Sequence, residues 1–264
     1  MLNLTKLVGL DTMLTDANLL IFGDEVASDK FTTRKFSDLA DVVADKSIVL
    51  DDEPAYFMYR NVRLRGDEKE LEDRSLRFDL TVIPKAILGK EYAKTLGHYH
   101  PKKSGTAYSY PELYYVISGQ ATYVLQKRSA DNRVDDVILA RVMAGNAVIM
   151  PPNYGHVTVN ELDEPLVMAN WVDATFESEY QDYKRLQGAA YYIVKNFGLA
   201  KAIVNLNYVN SPAIKEMNAK PKLFEEMANL PIYRYKQSEV LDSMVNLVKY
   251  NSLLQVNQVF TPKF

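Results

Sequence analysis

All three histidines of this 264-residue chain lie in two short segments. His98 and His100 stand two residues apart in the first segment, and His156 lies in the second. Residues two apart on a strand point to the same side, so the first two imidazoles would converge. Glu112 stands between the segments and could join them from a neighbouring strand. Any one histidine alone would more ordinarily be a polar strand or turn residue, but three imidazoles and a carboxylate together form a donor set for a divalent metal ion.

The composition restricts both the chemistry and the class of protein. The chain contains no cysteine, so disulfides and thiolate ligands are excluded and a metal must be bound through nitrogen and oxygen. The net charge is only -3 and the basic residues are dispersed, which gives no electrostatic case for binding nucleic acid or a membrane surface. Residues 1–25 contain Lys6 as their one basic residue and are interrupted by Asp11 and Asp16, so we predict neither a signal peptide nor a membrane span there. A cytoplasmic protein is expected.

The central part of the chain has the period-two hydrophobic pattern of β-strands. Short β-branched and aromatic runs are separated by turn residues, and this spacing is typical of an antiparallel sandwich or barrel. The predicted strands are Phe78–Ile83, Glu112–Ser118, Ala121–Lys127, Ala147–Met150, His156–Asn160 and Leu166–Trp171. We therefore expect an all-β core.

Helical patterns flank this core. Residues 37–45 predict a short helix with Ser37 as N-cap, and residues 211–230 and 238–251 predict two more. The apolar stripe from Val240 to Val248 should cover the barrel exterior or a partner subunit. The predicted organisation is an N-terminal extension over residues 1–50, a barrel over 51–195 and a mainly helical C-terminal extension over 196–264.

Three motifs carry a family resemblance, and they read Thr95-Leu96-Gly97-His98-Tyr99-His100, Glu112-Leu113-Tyr114 with Gly119, and Pro151-Pro152-Asn153-Tyr154-Gly155-His156-Val157-Thr158-Val159-Asn160. These motifs resemble the paired signatures of the cupin superfamily. Within that superfamily they are similar to the archaeal-type glucose-6-phosphate isomerases, and the likeness covers roughly residues 37 to 185. The resemblance implies a cupin jelly-roll β-barrel.

The spacing of the first motif departs from the usual cupin pattern. Cupins commonly place the glutamate a few residues after the second histidine, whereas here eleven residues, 101–111, separate His100 from Glu112. A longer loop must precede the Glu112 strand, and Ser104-Gly105-Thr106 suits such a loop. If the segment instead shifts the strand register, Glu112 would not reach the metal.

The resemblance also implies an activity and the residues of its site. The activity is the interconversion of glucose 6-phosphate and fructose 6-phosphate, in glycolysis and gluconeogenesis, by a homodimer. One divalent metal ion, usually Fe²⁺ with Mn²⁺, Ni²⁺ or Zn²⁺ as substitutes, would be held by His98, His100, Glu112 and His156. The sugar phosphate would contact Tyr56, Thr81, Thr95, Gly97 and Tyr180. Glu112 would also shuttle the proton between the two carbons.

Reasoning from the residues leaves three points of the site open. Strand alternation puts Thr95 and Gly97 on the face opposite His98 and His100, unless Gly97 marks a β-bulge. A carboxylate bound to a metal is a poorer base, so proton transfer by Glu112 and a hydride shift that needs no base both remain possible mechanisms. Asn160 lies on the face of His156 by period two and is expected to orient that imidazole.

Two rival functions share much of this pattern. An iron cupin dioxygenase would use the same three histidines and one glutamate, and oxygen consumption would identify it. A non-catalytic sugar-phosphate-binding cupin would bind hexose phosphate without turnover, and the C-terminal extension favours such a regulatory role. Fold alone does not decide between them, because one fold hosts many activities.

Overall fold

The structure is a computed structural model of the chain and describes residues 1–129, 132–220, 230–247 and 254–263. Its strands are β1 (Leu2–Asn3), β2 (Thr12–Leu14), β3 (Leu20–Phe22), β4 (Val26–Ala27), β5 (Lys30–Lys35), β6 (Pro54–Arg60), β7 (Arg63–Leu64), β8 (Leu76–Ile83), β9 (Ile87–Leu88), β10 (Glu91–Lys94), β11 (Glu112–Ser118), β12 (Gln120–Arg128), β13 (Val134–Met143), β14 (Ala147–Met150), β15 (Tyr154–Asn160), β16 (Leu166–Asp173), β17 (Tyr191–Asn196), β18 (Leu199–Val204), β19 (Lys215–Ala219) and β20 (Phe260–Pro262). Its α-helices are α1 (Thr5–Val8), α2 (Glu68–Asp73), α3 (Gln181–Arg185), α4 (Glu239–Val245) and α5 (Val256–Val259). In the described parts of the chain, 3₁₀ helices span Ser37–Val42, Arg65–Asp67 and Ile232–Gln237.

Two large sheets form the body of the molecule. One has the strand order β14-β11-β16-β8-β6-β5, and the other has the order β18-β17-β10-β15-β12-β13-β19-β20 with β9 paired to β10. All pairings among the strands that the sequence predicted are antiparallel, and each of those strands is present. The predicted all-β jelly-roll barrel of the cupin type is confirmed.

The C-terminal extension packs on the outer face of the six-stranded sheet. The centre of the Trp171 ring lies 4.7 Å from the centre of the Phe78 ring and 5.6 Å from the centre of the Tyr233 ring. The Trp171 indole N–H donates to the Ile232 carbonyl oxygen at 3.0 Å, so the buried indole has the hydrogen bond that it needs. Leu241 of α4 is also fully buried. Of the two surfaces expected to receive the apolar stripe, the barrel exterior is the one observed.

Several predicted helices differ in the structure. Where a helix was expected over residues 211–230, the described part instead forms β19, which pairs in parallel with β13, and residues 221–229 lie outside the described chain. The second C-terminal helix is present as α4, which Ser238 caps by accepting from the Leu241 N–H, whereas 248–251 lie outside the described residues. The predicted helix at 37–45 is a 3₁₀ helix whose N-cap is Phe36. Ser37 is its first residue, and the Ser37 hydroxyl donates to Asp52.

The segment 196–264 thus contains strands as well as helices, and the division into three segments stays a prediction. Among the described residues, the structure contains no helix both long and apolar enough to span a membrane.

Candidate metal centre and its cavity

The chain changes register at Gly97. The Thr95 N–H donates to the Thr158 carbonyl oxygen at 2.9 Å, and the His98 N–H donates to the His156 carbonyl oxygen at 3.2 Å. Three residue steps on one strand therefore match two steps on its partner, which is a β-bulge. Gly97 accommodates the extra residue with a φ of 85°, a backbone conformation that favours glycine. The bulge turns Thr95 to the same side as His98, so the condition that strand alternation imposed is met.

The long segment between His100 and Glu112 closes on itself. Lys102 pairs with Ser109 in an isolated bridge, and the Lys103 N–H donates to the Tyr108 carbonyl oxygen at 2.9 Å. Gly105 turns the chain with a φ of 74°. Residues 101–111 therefore form a loop rather than a register shift, as the turn residues within it indicated, and Glu112 begins β11.

The structure brings together the four residues predicted as metal ligands. One ligand atom from each of His98, His100, Glu112 and His156 lies within 4.8 Å of all the others. The Nε2 atoms of His98 and His100 are 3.0 Å apart. Glu112 Oε2 lies 3.4 Å from Nε2 of both His100 and His156. β11 and β15 supply Glu112 and His156, and the segment after β10 supplies the other two.

This cluster fits a divalent metal ion. Burial lowers the pKa of His98 and of His156, so both imidazoles are neutral. Burial acts to raise the pKa of Glu112, but the neighbouring His100 and His156 outweigh it and hold that pKa well below its usual range. Neutral imidazoles and an ionised carboxylate are the forms that bind a cation. Buried Glu112 Oε2 has no hydrogen-bond partner, which leaves a lone pair available to a metal.

A hydrogen bond on the side away from the cluster orients one of the imidazoles: His100 Nδ1 lies 2.8 Å from the Tyr110 carbonyl oxygen. At His156 the Tyr114 hydroxyl lies 3.2 Å from Nε2, the same atom that faces Glu112. The prediction that Asn160 orients His156 is wrong. The Asn160 amide instead donates to the carbonyl oxygens of Ile83 and Glu164 and so braces a turn. The period of two along the strand could not identify the partners of Asn160.

Three of the four clustered residues, His98, His100 and Glu112, line one cavity. All five predicted substrate contacts line it, namely Tyr56, Thr81, Thr95, Gly97 and Tyr180. The Tyr56 hydroxyl accepts a 3.3 Å hydrogen bond from the Leu96 N–H, and the Tyr180 ring centre lies 5.6 Å from that of His98. Phe176 also lines the cavity and packs on His100, with ring centres 4.5 Å apart. One cavity thus joins the predicted metal end to the predicted sugar-phosphate contacts.

The sequence interpretation missed several polar residues of this site. Arg60, Arg77 and Asn170 line the same cavity. Arg34 lies just behind it, with its guanidinium 5.9 Å from the centre of the Tyr180 ring and with a buried Nε that has no hydrogen-bond partner. The available signal was strand alternation, since Arg60 follows Tyr56 by four residues and shares its face. The register between strands, which decides what these residues meet, was not readable.

Comparison with known proteins identifies the family. The family model for glucose-6-phosphate isomerase (GPI) matches residues 33–209, which is more than half of the chain. The glucose-6-phosphate isomerase of Thermococcus onnurineus is 28% identical over 180 residues, covering 67% of this chain and 86% of that relative. The enzyme of the same name from Pyrococcus abyssi is 26% identical over 180 residues, covering 67% of this chain and 87% of the relative.

Similarity to solved structures is weaker. An oxalate decarboxylase of Lactobacillus farciminis is 16% identical with a TM-score of 0.35, covering 48% of this chain and 31% of that one, a likeness too low to add to the fold described above. The match to the family model confirms the family that the three motifs predicted and extends past residue 185, where the motif likeness ended. The chain therefore belongs to the glucose-6-phosphate isomerase family of enzymes.

Proposed function

We propose that this enzyme interconverts glucose 6-phosphate and fructose 6-phosphate, and that it requires one divalent metal ion held by His98, His100, Glu112 and His156. One observation carries the proposal: the metal-ligand cluster and the hydroxyl-lined wall around Thr81 and Thr95 share one cavity. A substrate with a reactive carbonyl at one end and a phosphate at the other needs the metal cluster for the carbonyl and the hydroxyl groups for the phosphate. The all-nitrogen-and-oxygen donor set suits Fe²⁺, Mn²⁺, Ni²⁺ or Zn²⁺.

The hydroxyl-lined wall supplies hydrogen-bond donors for the phosphate. Thr95 Oγ1 accepts from the Thr158 N–H at 3.0 Å, which leaves its own proton free to donate into the cavity. Burial raises the pKa of Tyr56, so its hydroxyl stays protonated and can donate as well. The Arg34 cation beside Tyr180 adds positive charge at this end. These groups would anchor the substrate by its phosphate and fix its distance from Glu112.

The reaction moves hydrogen between C1 and C2 through an enediolate, and the negative charge that develops is the main obstacle. The metal, when bound, supplies Lewis-acid stabilisation of that charge. Glu112 would accept the proton from one carbon and return it to the other, because its carboxylate is ionised and faces the cavity. A hydride shift would leave Glu112 as a ligand only. Phe176 and Tyr180 would limit access of water at the wall that they form.

The decisive experiment is a coupled isomerase assay on protein stripped of metal and then reconstituted. We expect activity to disappear on chelation and return with Fe²⁺ or Mn²⁺, while far-UV circular dichroism stays unchanged, because the apolar core and the sheet pairings do not depend on the ion. Full turnover in rigorously metal-free protein would contradict the proposal. Substrate-dependent oxygen consumption would instead indicate the rival dioxygenase, and hexose-phosphate binding without turnover in loaded protein would indicate a binding module.

Three further predictions belong to the same proposal. We propose a barrel over residues 51–195 flanked by the two extensions, a homodimer, and a cytoplasmic location in glycolysis and gluconeogenesis. Light scattering coupled to gel filtration tests the homodimer directly, since a monomer mass at micromolar concentration would reject it.

A further inference from the structure

Two arginines share one buried carboxylate on the inner wall of the cavity. Asp79 is 0% exposed and accepts from Arg60 Nη1 at 2.6 Å and from Arg77 Nε at 3.0 and 3.1 Å. The Asn61 N–H donates to the same carboxylate at 2.9 Å. Two guanidinium groups against one carboxylate leave one net positive charge. Both arginines line the cavity and keep about a third of their side chains exposed, at 32% and 30%.

The strand register places Arg77 at the metal end of the cavity. Glu112 pairs with Val172, and Val172 pairs with Arg77, so Arg77 lies in the same row of the sheet as Glu112. Thr81 lies four residues further along β8, roughly 13 Å from Arg77. Arg77 is therefore separate from the hydroxyl-lined wall, where the phosphate is proposed to bind. Arg60 lies between the two ends, because it donates to Asp79 and its Nη2 also lies 3.1 Å from Sδ of Met58, which pairs with Thr81.

Asn170 provides an independent observation at the same place. Asn170 is 2% exposed and lines the cavity, and its amide Nδ2 is buried without a hydrogen-bond partner. Asn170 pairs with Tyr114 on one side and Asp79 on the other, two residues along the sheet from the row of Glu112 and Arg77. Leaving a buried donor unsatisfied is unfavourable, because the group has lost its hydrogen bonds to water and gained none. An oxygen acceptor on a ligand in the cavity would satisfy this amide.

We infer that Arg60, Arg77 and Asn170 form an anion subsite near the metal end of the cavity, which binds oxygens at C1 and C2 of a sugar phosphate when they carry negative charge. This inference rests on the proposed function. The enediolate of the isomerisation develops negative charge on the oxygens at C1 and C2, and a sugar acid phosphate carries a permanent negative charge on its C1 carboxylate. Asp79 holds both guanidinium groups in place before the ligand arrives, and donors fixed in advance stabilise developing charge best.

A purely structural role does not account for the arrangement. A single arginine and the Asn61 N–H would satisfy a buried carboxylate, yet a second cation is present and both face the cavity. A structural role also gives no reason for the unpartnered Asn170 amide. Arginine presents several donors in a planar fork, which suits the paired oxygens of a carboxylate or an enediolate.

The test measures binding rather than turnover, by calorimetry on Mn²⁺-loaded protein. The two probes are 6-phosphogluconate and glucitol 6-phosphate, which share the phosphate and differ at C1, where one carries a carboxylate and the other a hydroxymethyl group. Arg60→Gln should weaken 6-phosphogluconate binding by about tenfold to a hundredfold, as expected for a hydrogen bond to a charged group, and change glucitol 6-phosphate binding by less than about threefold. Equal weakening of both probes, or of neither, would overturn the subsite.

Two more variants complete the test. Asn170→Leu removes a buried unpartnered donor without leaving another group unpaired, so this variant should fold even if Arg60→Gln does not. It should weaken the binding of 6-phosphogluconate more than the binding of glucitol 6-phosphate. Arg34→Gln is the matched control at the phosphate end and should weaken both probes alike. If the wild-type protein binds neither probe, the proposed function fails together with the subsite. If it binds both but the variants do not discriminate, only the subsite fails.

Discussion

His100 is oriented by the loop that separates it from Glu112, because its Nδ1 lies 2.8 Å from the Tyr110 carbonyl oxygen. With Nδ1 carrying the proton, Nε2 is left free to face Glu112. The same loop is tied to the C-terminal extension. Lys103 Nζ donates to Asp173 and to the Val245 carbonyl oxygen, each at 2.7 Å. The extension is thus linked to the proposed metal site through the loop.

This link predicts that Lys103→Met weakens metal binding. The loop would lose its bonds to Asp173 and α4, so His100 would be held less firmly, and we expect metal affinity to fall about tenfold, the low end of the effect of groups that orient ligands. Competition with a coloured chelator measures the change. Lys102→Met is the matched control, since Lys102 is exposed on the same loop. Equal affinities in the two variants would mean that the loop does not need its link to α4.

Replacing Glu112 separates the two possible mechanisms. Glu112→Gln keeps an oxygen that can touch the metal but removes the base, so proton transfer predicts retained metal and a kcat lower by about 10² to 10⁴. Glu112→Ala should lower the affinity for the metal as well as kcat, because it also removes the ligand oxygen. Glu161→Gln is the control, because Glu161 is paired with Arg141 away from the cavity.

Deuterium at C2 of the substrate gives a second measurement of the same step. Proton transfer through Glu112 should release some label to water during turnover, whereas a hydride shift carries it to C1. Complete retention of deuterium, together with near-normal turnover in Glu112→Gln, would leave the hydride shift as the mechanism.

Removing a threonine hydroxyl tests the phosphate end. Thr81→Val and Thr95→Val should each lose about 1.5 to 3 kcal/mol of binding to a charged phosphate, which is roughly ten- to a hundredfold in kcat/KM, with metal content unchanged. Thr122→Val is the control, because Thr122 is a buried strand threonine that does not line the cavity. Unchanged kcat/KM for Thr95→Val would place Thr95 outside the phosphate contacts.

A shortened chain tests the role of the C-terminal extension. A protein ending at Val209, where the family match ends, would lose Ile232 and Leu241 and uncover the outer face around Trp171. We expect aggregation or a changed particle size in light scattering, because that apolar face would be exposed. The metal ligands would all remain. A soluble particle with the parent's shape and activity would show that the sheet does not need this cover.

The sequence was sufficient for the parts of the site that depend on residue type and spacing along one segment. The three histidines and Glu112 could be assigned to one cluster because three imidazoles and a carboxylate together are typical of a metal site. The Ser104-Gly105-Thr106 turn indicated how Glu112 could still reach that cluster. The bulge at Gly97 was readable as a possibility, since an isolated glycine on a strand often marks one. The family followed from the same motifs.

The features that the sequence analysis missed or predicted wrongly depend on contacts between segments that are distant in the chain. Arg60 and Asp79 meet only because β6 and β8 pair in one particular register, and nothing in either strand specifies that register. Residues 215–219 have a composition compatible with a helix, but the open edge of β13 offers them backbone hydrogen bonds and they form a strand. Asn160 was assigned by face, while its partners come from a turn and from the end of β8.

The bulge at Gly97 has a consequence for anyone who would transplant this site into another barrel. A side chain at this position would start 2.5 Å from Val157 Cγ2 and 2.6 Å from Tyr183 Cδ1, so no residue with a Cβ fits without displacing both neighbours. A graft that copies only His98 and His100 onto a regular strand could capture an ion, yet Thr95 would then point through the wall to the other side. A transplanted site would therefore need the bulged strand with Gly97 as well as the two histidines.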